Sequence, residues 1–96
     1  MTPVVSIGDL VPLRDQTTEL RRQQIYRIIG AANNAIANSS ARMNRSQTCV
    51  RIHSALASAM TAFVVAVHNR RRLDCLVSAI ESLTGALLNT LAEDVQ

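Results

Sequence analysis

A run of apolar residues seven positions apart threads the middle of this chain without meeting a proline. Ile29, Ile36, Met43, Val50, Ala57 and Val64 hold one position of the repeat. Ala32, Ser39, Ser46, His53, Met60 and Val67 hold its partner position. This 3-4-3-4 step puts both sets on one side of an α-helix, and such a stripe is hidden by pressing it against another helix. Ile28, Ala35, Cys49, Leu56 and Phe63 widen the stripe on one flank, which suits a bundle better than a two-stranded zipper.

The core available to such a chain is aliphatic. Of its 96 residues 48% are hydrophobic, yet Tyr26 and Phe63 are the only aromatics. Three glycines and two prolines are too few for a sandwich or barrel with many tight turns. The fold class is therefore all-α, and the length allows one small domain that depends on dense packing or on a partner.

Residues 1–12 read as an extended, proline-bounded lead-in, and residues 13–96 as a single helical domain. Pro12 suits the first turn of a helix, where Asp15 and Glu19 meet the positive end of its dipole. Gly30 weakens that helix by about 1 kcal/mol against alanine without ending it. Between Asn33 and Gln47, asparagine and serine compete for the backbone with their own side chains and invite a turn. The heptad phase nevertheless passes through intact. The pattern thus favours one long heptad-bearing helix over about 13–68, roughly 80 Å if unbroken, with a helical hairpin broken near 39–46 as the alternative. A shorter amphipathic helix follows over about 73–92, carrying Leu73, Leu76, Val77, Ile80, Leu83, Leu87, Leu88 and Leu91 on one face, with Asn69 placed to cap it. The two helices would pack as a bundle or coiled coil. Its seam consists of Ile29, Ile36, Met43, Val50, Ala57 and Val64 with Leu73, Ile80, Leu83 and Leu87.

No enzymatic constellation is visible: there is no phosphate-binding glycine loop, no nucleophile–base set and no plausible pair of acids. No cofactor is implied. Cys49, His53, His68 and Cys75 are soft ligands, but their spacing matches no usual zinc module, and two buried free thiols are the simpler expectation. A disulfide between the two cysteines would need a chain reversal inside the most apolar run. His53 in a polar layer with Ser39 and Ser46 could fix register or respond to pH.

All ten basic residues are arginine, against seven acids, for a net charge of +3. The planar guanidinium fork suits phosphate, although arginine-for-lysine usage is also a coding effect of GC-rich genes. A second functional reading is therefore a small basic helical protein for double-stranded RNA, with Arg42, Arg45, Arg51, Arg70, Arg71 and Arg72 on phosphates. Shape rather than base sequence would guide it, as in some small viral helical suppressors of RNA silencing. The first twelve residues lack the basic start and long apolar stretch of a secretory signal. Residues 52–69 carry no formal charge, but the apolar core Ala55–Val67 is shorter than the ~20 residues of a bilayer span. A buried helix in a soluble chain is expected.

Two further stretches carry a family resemblance. Leu13-Arg14-Asp15-Gln16-Thr17-Thr18, the long helix after it, and the closing LDCLVSAIESLTGALLNTLAEDV (Leu73–Val95) resemble the helical region of baculovirus-type F envelope fusion proteins. The related insect errantivirus envelope proteins are similar. In that family a heptad helix follows the fusion peptide, and a leucine-rich stretch with Ala-Ile and Gly-x-Leu patterns comes later. Ala79-Ile80 and Gly85-Ala86-Leu87 would correspond to those patterns here. The sequons Asn38-Ser39-Ser40 and Asn44-Arg45-Ser46 fit an ectodomain, whereas no furin-type site or membrane anchor does. The resemblance implies a viral, self-associating helical core, with a membrane involved only as part of a larger envelope protein. The expected partner is thus another copy or a partner helix, as it also would be for a helical chaperone or adaptor.

Overall fold

The computed structural model describes residues 18–40 and 47–95. They form three α-helices: α1 Glu19–Ser40, α2 Gln47–His68 and α3 Asp74–Val95. Among the described residues there is no strand, and the helices pack into one compact body, so the all-α bundle is as expected. The lead-in 1–12 and the expected helix start at residue 13 lie outside the described residues.

Thr18 opens α1 as its N-cap. Its hydroxyl accepts the Arg21 N–H at 3.3 Å and its carbonyl accepts the Arg22 N–H at 2.9 Å, satisfying donors that a helix start otherwise leaves bare. Glu19 sits in the first turn, where the dipole favours its charge, and pairs with Arg22 one turn on. That hydrogen bond is the main reason the Arg22 guanidinium is held above its ordinary pKa. Arg22 also lies 5.6 Å from the centre of the Tyr26 ring, within cation–π range.

Two contacts fix the topology. Ser39 at the end of α1 meets His53 in the second turn of α2 across 2.6 Å, so these helices run antiparallel. Arg21 at the start of α1 reaches Asp74 at the start of α3, so α1 and α3 run parallel. The bundle goes up, down and up, within extents of 43 × 24 × 20 Å.

The Ser39–His53 contact corrects the long-helix expectation. Fourteen residues along one straight helix span about 21 Å, whereas these side chains touch. The hairpin alternative is what forms, with α1 described to Ser40 and α2 from Gln47. The heptad phase misled because the apolar stripe is wide. In α1 the buried residues are Ile25, Ile29, Ala32, Ala35, Ile36 and Ser39. In α2 they are Cys49, His53, Leu56, Met60, Phe63, Ala66 and Val67. Burial has rotated about half a turn-step around the second helix. Val50, Ala57 and Val64 are left half-buried on its flank while keeping their place in the written repeat.

Phe63, Leu56, Met60 and Val67 of α2 meet Ile25 and Ile36 of α1 and Ile80 and Leu87 of α3 in the fully enclosed centre. Of the expected seam, Ile29, Ile36, Leu73, Ile80 and Leu87 are buried within this one chain. Leu83 is half-buried, and Met43 lies outside the described residues. Leu88, expected on the buried face of the last helix, is 46% exposed. Thr84, one turn before it, is buried, its hydroxyl donating to the Ile80 carbonyl at 2.7 Å.

Asn69 does not cap α3. The Arg71 N–H bonds the Ala66 carbonyl at 2.9 Å and the Arg70 N–H the Val67 carbonyl at 3.2 Å, with Arg70 at φ 53°. This is the Schellman ending, in which the residue after the helix takes a left-handed conformation. Asn69 is therefore the C-cap residue of α2, one position before the left-handed Arg70. Leu73 opens α3, its carbonyl accepting the Val77 N–H at 2.8 Å.

Candidate functional site

Polar chemistry gathers at two places, near opposite ends of the bundle. Near the α1–α2 end the only residues of the expected Ser39/Ser46/His53 layer to be described are Ser39 and His53; Ser46 lies outside. Ser39 is fully buried and His53 is 7% exposed. The Ser39 Oγ lies 3.0 Å from the Ile36 carbonyl and 2.6 Å from His53 Nδ1. A hydroxyl has one hydrogen to give. When Ser39 donates to Ile36, His53 Nδ1–H donates to Ser39; when Ser39 donates to Nδ1, the Ile36 carbonyl still accepts the Ser40 hydroxyl at 2.9 Å. Either arrangement satisfies the layer and fixes the register of α1 on α2. With the hydroxyl enclosed, no reacting group reaches it from solvent.

The thiols differ from expectation in one respect. Only Cys49 is buried; Cys75 is exposed. Among the described residues no three histidines, cysteines or acids gather where a metal could be held.

At the other end the start of α1 meets the turn from α2 to α3. Arg21, Arg70, Arg71, Arg72 and Asp74 surround a surface pocket of about 280 Å³. Arg21 lies 3.6 Å from Asp74, at side-chain exposures of 37% and 86%, so the pair is a solvated one worth about 0–1 kcal/mol. Arg21 also stands at the head of a longer open groove of about 510 Å³ between α1 and α3, with Arg27 and Ile28 on one bank and Glu81 and Thr84 on the other.

The expected nucleic-acid set is divided by this arrangement. Arg70, Arg71 and Arg72 are exposed at one end. Arg51 is exposed toward the other, about 28 Å away along α2 at 1.5 Å per residue. Arg42 and Arg45 lie outside the described residues. In its place the fold adds Arg21, one of three arginines in the first half of α1 with Arg22 and Arg27. The arginine-rich start of α1 was visible as a cluster, but only the up-down-up topology brings it against a triplet some fifty residues later.

The bilayer question also shifts. Gln47–His68 and Asp74–Ala92 are both long and apolar enough to cross a membrane, with mean hydropathies of 1.6 and 1.4, and about a third of each or less is buried in the bundle. Helices packed in a soluble core can meet the same criterion, but the sequence pattern had singled out only the first of the two. Comparison with known proteins adds no relative: no protein-family model, curated protein or solved structure matches this chain.

Proposed function

We propose that this chain is a non-enzymatic helix-packing module that works by associating with a second copy of itself. The observation that carries this reading is the outward side of α2. From Ile52 to Asn69 the helix has no charged residue, although Ser54, Ala55, Ser58, Thr61, Ala62 and Val65 are exposed. Solvent-facing helix surfaces are ordinarily charged. A face of small side chains with one half-exposed valine lets another helix backbone come close, and Val65 at 50% exposure is its apolar centre.

The seam of this association differs from the one the heptad suggested. Ile29, Ile36, Ile80 and Leu87 are spent inside the chain, so the contact falls to the back of α2, with Val50, Ala57 and Val64 along one border. On this reading, the likeness to F-type envelope proteins would put the same association in the helical core of a larger viral protein. The double-stranded RNA reading has less support, since Arg51 lies about 28 Å from Arg70–Arg72 along α2 with no charged residue on the helix between them.

Sedimentation of the wild type and of Val65→Asp tests the proposal. The wild type should sediment as an oligomer at micromolar concentration, and the variant as a monomer with unchanged helical circular dichroism. A monomeric wild type, or identical sedimentation of the two, would remove it.

A further inference from the structure

We infer that the arginine end of the bundle is a binding site for a compact ligand carrying two or more linked phosphoryl groups. The inference is independent of self-association through α2. Four arginines, Arg21 from α1 and Arg70, Arg71 and Arg72 from the α2–α3 turn, line one pocket of about 280 Å³ with a single acidic residue, Asp74. That concentration is far above the chain's average, where ten cations face seven acids. Each guanidinium presents a planar fork of donors that matches phosphate oxygens two at a time. Phosphoryl oxygens brought among four such forks would compete with Asp74 for Arg21, and the solvated Arg21–Asp74 pair is weak enough to yield.

The backbone adds a second observation. Arg70 occupies the left-handed position that closes α2, at φ 53°. Glycine is the usual residue there, because a Cβ is disfavoured in that conformation. The chain instead places an arginine at this position and follows it with two more. Strain at a charged surface turn points to a use for the side chain.

The size of the pocket argues for a compact oligophosphate rather than a long backbone track. Arg51, the next described arginine on α2, is about 28 Å away. A duplex lying along α2 would therefore meet charge at its two ends and an uncharged helix face between them. A membrane surface would need neither the pocket nor Arg21.

Calorimetric titration of the full chain with sodium tripolyphosphate at low salt is the direct test. It should show saturable binding that weakens steeply as salt is added. Arg71→Ala/Arg72→Ala and Arg21→Ala should each weaken it by tenfold or more, and Arg51→Ala by less than twofold. Arg70→Gly separates site from fold: binding should fall severalfold while Tm stays at or above that of the wild type. Failure to bind tripolyphosphate would overturn the inference. So would equal losses in the Arg51 and Arg71/Arg72 variants, which signify diffuse charge attraction. Binding to a single-stranded RNA oligomer or to phosphatidylserine vesicles with none to tripolyphosphate would also overturn it, in favour of those surfaces.

Discussion

The two ends of this bundle handle polar residues in opposite ways. Near the end where α1 finishes and α2 begins, Ser39 and His53 face inward and bond each other in a sealed layer. At the end where α2 turns into α3, Arg70, Arg71 and Arg72 face outward around an open pocket with Arg21. Both interrupt an apolar pattern in the sequence. A polar group that finds a partner can be enclosed, at a net gain of about 1 kcal/mol for a neutral hydrogen bond. The arginines at the other end stay in water, where Arg21 holds Asp74 only in a solvated pair and an anion from outside can join them. The first arrangement specifies how the helices register. The second leaves chemistry available to a ligand.

The largest effect should come from the core that holds both ends together. Phe63 is fully buried and is the chain's only phenylalanine. Phe63→Ala should cost about 3–5 kcal/mol, much of the stability of so small a domain. Loss of a cooperative thermal transition by circular dichroism would show it; a shift of only a few degrees would mean that the centre lies elsewhere.

At the sealed end the effect should be smaller and coupled. Ser39→Ala leaves His53 Nδ1 without its buried partner, at about 1–3 kcal/mol. Combined with His53→Leu, the loss should be well below the sum of the two single changes. Urea denaturation of the four proteins measures this, and additive losses would mean the bond is not formed. At the open end, Arg70→Gly should raise stability by about 0.5–1 kcal/mol by removing the left-handed Cβ penalty. Destabilisation there would show that the side chain supports the turn.

Smallest are the helical glycines. A Cβ built at Gly30 or Gly85 meets nothing within 4 Å, so neither permits a close helix approach within this chain. Gly85→Ala should add about 0.5–1 kcal/mol to unfolding, read from thermal melts. A loss would mean that another copy uses that surface.

The sequence was most informative where period and composition agreed. The last helix was legible nearly to its ends, because Leu73, Val77, Ile80, Leu87 and Leu91 fit one narrow stripe and nothing competed with it. The break between α1 and α2 was harder to see. Residues rich in asparagine and serine argued for a turn, while the heptad argued for continuity. A stripe wide enough to include Leu56 and Phe63 beside Val50 and Val64 keeps an apparent phase even when the buried side rotates. The site was half legible. The Arg70–Arg72 triplet is local and announces itself, whereas Arg21 joins it only through the parallel packing of α1 and α3, a long-range relation that no local pattern records. The left-handed Arg70 was likewise hidden, since the sequence gives no glycine to mark the helix end.

The sealed layer and the arginine pocket both depend on α1 folding back along α2. The most direct measurement is a nuclear Overhauser contact between the Ser39 β-protons and the His53 ring in the Val65→Asp variant, at a concentration where it sediments as a monomer. A hairpin within one chain predicts a strong cross-peak, because the two side chains are in hydrogen-bond contact. A folded, helical monomer without that cross-peak would contradict it and restore the single long rod, in which these residues stand about 21 Å apart.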